Sequence, residues 1–408
     1  MRILSSLQFI DKKIFSNKLH TSHENINASH IAVMDGLRGI AILLVFFFHV
    51  WQLSWLDFTT TLHSPIYIDF IARFGFLGVE TFFFISGFCL FYPHARHCFE
   101  QYPLASWQDY LLKRALKILP SYLLAILLIL VLFKWEFSKE QLLLHLSSHF
   151  LFIHNFFPET HYSINGVFWS LAVEVQFYLV FPVLAKFFRA RPVIVTLLMS
   201  GCAIAYRQYI MITKQEGGFL YTQYLSQMPA FLDLFSLGML TAYILVLLRN
   251  RQNIDRYMPL FSLLMLLGLA GFVALIKNVD TMAGLPDGMI EWQARYRSLI
   301  GISLMLAAIG GHFANPWVQK ILNNRFLAFF SLISYNLYIW HQFIAAKLFN
   351  ARFPEPLTPD PHDDPQWQIV FTVFAMGLAI VIATLLTLFW ERPFLRQKFN
   401  FLQASQRE

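Results

Sequence analysis

A chain of 408 residues that is 57% hydrophobic, 17% aromatic and only 13% charged lies well outside soluble globular composition. It reads as a polytopic membrane protein, and the formal charge of +7 is then ascribed to loops that set orientation, not to a nucleic-acid surface. Cys89 and Cys202 lie in apolar runs and Cys98 in a short basic loop, with no CxxC pair, so neither a disulfide framework nor redox chemistry is expected.

Residues 1–34 are polar, carry Lys12, Lys13, Lys18, His20, His23 and His30, and show no apolar core or small-residue cleavage site, so no signal peptide is expected. They read as a cytosolic N-terminal extension, with MRILSSLQFIDKKIF as a candidate surface helix. Apolar stretches long enough to cross a bilayer follow near residues 36–55, 74–93, 115–133, 167–187, 192–211, 230–248, 258–276, 298–314, 326–348 and 367–390. The window from Glu140 to His154 is short and interrupted by polar residues, and it reads as an interfacial or re-entrant helix. Counting it as a span would put Arg189, Arg191 and every later basic loop on the wrong side of the membrane. With ten spans, basic loops such as those of Arg96, Lys186, Arg249, Lys320 and Arg392 all face the cytosol, while the acidic stretch PEPLTPDPHDD from Pro354 to Asp364 faces away. The expected fold is therefore all-α: a polytopic integral membrane helix bundle of about ten transmembrane helices plus one short interfacial or re-entrant helix. One membrane domain spans 35–394 and a cytosolic tail 395–408, with no internal repeat.

The first span, DGLRGIAILLVFFFHVW from Asp35 to Trp51, holds the best clue to chemistry. A step of eleven residues turns about 1100° on a helix, so Arg38 and His49 share one face roughly 16 Å apart. With Asp35 as the expected N-cap and Gly36 and Gly39 leaving backbone accessible, Arg38 is suited to a phosphate at the helix N-terminus. The competing reading is an arginine that only anchors orientation, and the KRALK cluster of Lys113, Arg114 and Lys117 has the same two readings. His49 lies about 20 Å from the cytosolic start of its span, and Glu80, Glu174 and His341 fall at nearly the same depth, so a shared buried polar layer is expected. In the functional reading His49 is a general base oriented by one of the acids; in the competing one the groups form a structural hydrogen-bonded pair, and Glu80 braces helix packing. His145 and His149 share a helical face, but two ligands without a third do not make a metal site, and none is expected. Ser86, in FFFISGF, reads as a packing residue beside Gly87, since no G-x-S-x-G elbow surrounds it.

The motifs DGLRGIAILLVFFFH, FGFLGVETFFFISGFCL, FWSLAVEVQFYLVFPVL, SYNLYIWH and WERPF occur in that order over residues 35–394. Together they resemble the membrane-bound acyltransferase family 3, whose members O-acylate carbohydrates and other exported molecules. The resemblance implies transfer of an acyl group, usually acetyl, from cytosolic acyl-CoA to a hydroxyl of a carbohydrate or glycolipid, in a bacterial cytoplasmic (inner) membrane. Acyl-CoA is then a donor substrate, and no permanently bound cofactor and no nucleic-acid partner is expected. Arg38 and His49 match the family's essential pair, Glu174 and His341 its acidic and histidine motif positions, and Glu391 the acid before Arg392 and Pro393. The basic motif is arginine-rich in the family, whereas Lys113 and Lys117 here lack the bidentate fork of arginine. No serine or cysteine has an activating base in sequence, which favours direct attack of the acceptor. The competing functions are a proton-coupled transporter, for which no inverted repeat is visible, and a non-catalytic subunit of a polysaccharide export system.

Overall fold

The computed structural model describes residues 31–59, 61, 67–132, 138–213 and 219–395. The N-terminal extension up to residue 30, its candidate surface helix and the tail beyond residue 395 lie outside the described residues. The longer helices, in chain order, are α1 (Ala32–Ser54), α2 (Gly78–Glu100), α3 (Trp107–Leu132), α4 (Lys139–Phe150), α5 (Phe168–Ala190) and α6 (Pro192–Thr213). They continue as α7 (Leu232–Arg249), α8 (Met258–Ala283), α9 (Arg297–Phe313), α10 (Arg325–Asn350) and α11 (Pro365–Leu386), and no strand occurs among the described residues. The fold is an all-α bundle, and each of the ten expected windows falls on one of these helices.

Among the described residues, eight helical segments are long and apolar enough to cross a membrane. The two windows outside that set have physical explanations: α9 has only 17 residues, and α10 carries Ser331, Ser334, Asn336 and His341, whose polarity lowers its hydropathy. Burial separates an inner from an outer group. In α2 78% of the apolar window is buried, whereas in α6, α8 and α11 the share is 28%. The outer helices turn large apolar side chains outward, among them Leu127, Leu197 and Val373, a face that lipid can solvate.

The inner helices approach closely where small residues allow it. Along the α2–α7 crossing, a Cβ on Gly87 would lie 2.1 Å from Phe235 O, and one on Gly238 would lie 2.0 Å from Phe84 O. The two backbones therefore touch at reciprocal glycines, the arrangement by which apolar helices gain packing energy without a hydrophobic driving force between them. Helix ends are set locally. Asn324 caps α10 by accepting from Leu327 N at 2.9 Å, and Asp364, just before Pro365, caps α11 by accepting from Trp367 N at 3.0 Å.

The doubtful window forms α4, a helix of 12 residues started by a capping box between Ser138 and Gln141. At about 18 Å it is too short to cross a bilayer core. The irregular segment 151–166 that follows is tied to neighbouring helices by side chains: Gln176 Nε2 donates to Phe152 O at 2.8 Å, and Asn165 Nδ2 donates to Ile339 O at 2.7 Å. His149 and His154 stack in parallel with ring centroids 4.0 Å apart, both fully buried. Burial lowers the pKa of His149 to about 4 and that of His154 to about 3, the latter with a smaller contribution from its neighbour His149.

Two outcomes follow for stability. Gly87→Ala is expected to cost about 1–3 kcal/mol through overpacking, while Gly201→Ala, which meets nothing within 4 Å, gains up to about 1 kcal/mol of helix propensity. Thermal unfolding in detergent distinguishes them. Histidines held neutral in the folded state, but titrating near their ordinary value when unfolded, leave stability flat above about pH 7 and lower it as pH falls below that value. The slope per histidine is at most about 1.4 kcal/mol per pH unit. The loss of Tm between pH 7 and pH 5 should therefore be smaller in His154→Phe than in the unsubstituted protein; equal losses would show that His154 does not contribute.

Candidate active site

The geometry starts with the crossing of α1 and α10. A Cβ on Gly36 would lie 2.2 Å from Leu322 O, just before α10, and one on Gly39 would lie 2.5 Å from Leu327 O. These glycines admit neighbouring backbone, so the expectation that they leave backbone open to a ligand is corrected. Asp35 is corrected too: α1 begins at Ala32, which places Asp35 within the first turn, where it accepts from Ser331 Oγ of α10 at 3.0 Å.

Three turns further along, the same crossing brings His49 against His341, with His341 Nε2 3.0 Å from His49 Nδ1. Two backbone carbonyls decide the tautomers. Leu337 O, 2.9 Å from His341 Nδ1, can only accept, so that nitrogen carries the proton and Nε2 of the neutral ring is an acceptor. His49 Nδ1 then donates, shared between His341 Nε2 and Val45 O at 3.0 Å, and the lone pair of His49 is left on Nε2. His341 is fully buried and His49 half-buried, so the inner ring orients the outer one. The expected acid orienter is replaced by a second imidazole: among the described residues neither Glu80 nor Glu174 bonds to His49.

A cavity of about 160 Å³ lies between α1, α2, α3, α5 and α10. Arg38, Arg114, Lys117 and Glu174 line it together with Ser86, Cys89, Tyr178, Tyr335 and Tyr338. Arg38 sits 3.7 Å from Cys89 Sγ and 3.9 Å from Asp35 Oδ1. Arg114 faces Tyr178 and Tyr110 with its charge centre 5.4 and 5.8 Å from the ring centroids, and its buried Nε has no hydrogen-bond partner among the described residues. Lys117 pairs with Glu391, which is held from the other side by Asn336 Nδ2 at 2.7 Å. Glu391 reaches this position because α11 ends in a π-helical turn, Thr387–Glu391, and Asn336 Nδ2 also donates to Thr387 Oγ1 at 3.0 Å. Glu174 accepts from both Ser86 and Tyr178. Ser86, read from sequence as a packing residue, therefore also presents its hydroxyl to a carboxylate.

Other expected members fall elsewhere. Lys113 does not line the cavity, although Arg114 and Lys117 of the same cluster do. Glu80 leaves the expected polar layer for a separate ionic cluster, where Arg297 Nε lies 3.4 Å from Glu80 Oε1. In that cluster the fully buried Arg207 donates to Asp233 Oδ2 and Ser298 Oγ, each at 2.8 Å, and to Ala230 O at 2.7 Å. Sequence reasoning missed Arg207, Asp233 and Arg297; charged residues at the ends of three apolar stretches were the available signal. His145 and His149 bond to Ser163 and to backbone, and no metal-binding group occurs among the described residues.

The family model described as "Acyltransferase domain" matches residues 31–388. The protein named O-acetyltransferase OatA from Staphylococcus aureus strain NCTC 8325 is 25% identical over 327 residues, covering 76% of this chain and 49% of that relative. A protein of Staphylococcus aureus strain COL, provisionally named as an O-acetyltransferase, is 22% identical over 399 residues, covering 91% of this chain and 58% of its own length. The chain thus spans about half the length of the OatA relative it matches. No solved structure matches it. With the family model covering residues 31–388, the chain belongs to the membrane-bound acyltransferase family 3.

Proposed function

We propose that this protein is a membrane O-acetyltransferase that moves an acyl group, acetyl by preference, from acyl-CoA to a hydroxyl of a cell-surface or exported carbohydrate or glycolipid. The observation that carries the reading is the hydrogen bond from His49 Nδ1 to His341 Nε2, which leaves a fixed lone pair on His49 Nε2 within a bundle otherwise solvated by lipid. Such a lone pair takes the proton of an acceptor hydroxyl. The oxygen attacks the thioester carbonyl, the C–S bond breaks, and the CoA thiolate leaves with the proton returned from His49. Atoms and charge balance without a further reactant.

The donor side is supported by the charge of the cavity. Arg38, Arg114 and Lys117 on its wall outnumber Glu174, and Lys117 is partly neutralised by Glu391, so Arg38 and Arg114 are the residues assigned to CoA phosphate. The topology that fits this assignment places both termini and the basic end of the bundle in the cytosol, where acyl-CoA is available, and the bundle itself in the cytoplasmic (inner) membrane.

Membranes supplied with acyl-labelled acetyl-CoA provide the test. His49→Ala is expected to lose at least about 100-fold in kcat, as for removal of a general base, and unaffected transfer would refute the assignment. His341→Phe keeps a ring but removes the acceptor, and it should lower kcat with little change in KM for acetyl-CoA. Arg38→Ala should do the reverse, raising KM for the donor with kcat largely kept.

A further inference from the structure

Along α10 the lining of the donor cavity ends at Tyr338, one helical turn before His341, and along α2 it ends at Val79 and Phe82. Its wall follows α10 through Ser331, Ser334, Tyr335 and Tyr338, and neither His341 nor His49 lines it. At this inner end the ring of Phe82 stands edge-on against Tyr338, with centroids 5.8 Å apart and planes at 83°. The Tyr338 hydroxyl is held by Ser170 Oγ at 2.5 Å and lies 3.3 Å from Val167 O, and its ring centroid is 5.9 Å from that of His341. Tyr338 thus touches the cavity on one side and the histidine pair on the other. It is anchored by its hydroxyl, whereas Phe82 has no polar anchor and stays half-buried in a helix whose apolar window is 78% buried.

We propose that Phe82, braced on Tyr338, closes the inner end of the donor cavity and sets the upper length of the acyl group delivered to His49. This rests on the acyl-CoA reading given above. The cavity of about 160 Å³ is smaller than a pocket for a whole ligand, typically about 300 Å³ or more, so only the slender end of a donor is accommodated. Passage toward His49 requires the Phe82 ring to turn aside, because Tyr338 is tied to α5. The aperture made by one ring admits a two-carbon acyl group, and each added methylene meets Phe82 or Tyr338. Discrimination by a hydrophobic wall of this kind is worth about 10-fold or more per misfitting methylene.

The experiment compares acetyl-CoA, butyryl-CoA and hexanoyl-CoA, each labelled in the acyl group, in membranes of the producing cell that carry the endogenous acceptor. Phe82→Ala is expected to raise the hexanoyl-to-acetyl ratio of kcat/KM by about 10-fold or more, whatever its effect on the acetyl rate itself. Phe82→Leu should give a smaller rise, and it serves if the alanine variant does not accumulate. Phe82→Trp should lower the butyryl-to-acetyl ratio. Acetyl transfer in every variant with unmoved ratios overturns the length limit alone. Absence of transfer from all three donors in the unsubstituted protein overturns the donor reading, and the length limit with it.

Discussion

The close crossing of α1 and α10 is the constraint on which the candidate site depends. Gly36 and Gly39 let the backbone around Leu322 and Leu327 come within a distance that any side chain would block. The two helices are still in contact at His49 and His341, almost three turns beyond Gly39, so the approach at the glycines bears on what His49 meets further along. The Asp35–Ser331 hydrogen bond pins the register at the start of the crossing and the His49–His341 bond lies further along it. A larger residue at either glycine would therefore act on the histidine pair from a distance, through helix separation.

A second constraint is that polar groups away from water must find partners within the protein. The bundle meets it in separate assemblies. One surrounds the cavity, where Glu174 accepts from Ser86 and Tyr178 and Glu391 pairs with Lys117. The other joins α2, α6, α7 and α9 through Glu80, Arg207, Asp233 and Arg297. Two arginines against two carboxylates keep that second cluster near neutrality, and Arg207 spends its remaining donors on backbone carbonyls. Breaking such a buried pair leaves an uncompensated charge, which is why it holds its helices in one arrangement even where its net contribution to stability is small.

These two constraints separate what could be read along the chain from what could not. Hydropathy is a property of consecutive residues, so the ten windows fall on helices, and the charge asymmetry of the loops kept the short window Glu140 to His154 out of the spans. Arg38 and His49 were legible because one helix relates them by a fixed rotation per residue. The partner of His49 was not, because depth alone ranks Glu80, Glu174 and His341 equally, and the choice among them is made by interhelical packing. Gly36 and Gly39 show the same limit: flanking Arg38, they suggested exposed backbone, yet their use is contact with a segment almost three hundred residues away. Lys113 and Lys117 share a helix face by spacing alone, yet Lys117 lines the cavity and Lys113 does not, a difference that only the packing around α3 makes.

The choice of an imidazole rather than a carboxylate beside His49 has a chemical consequence for the proposed reaction. A carboxylate would bring net negative charge into a region of low dielectric and would need its own compensation. A neutral His341 accepts the N–H of His49 at no net charge, and its tautomer is enforced by Leu337 O, a group that cannot titrate. The orientation of His49 is thus secured by the backbone of α10. Among the described residues no carboxylate is hydrogen-bonded to His49, so in the proposed reaction its imidazolium would form without a carboxylate partner. In the proposed reaction the developing thiolate of the departing CoA is then the group to which that proton returns.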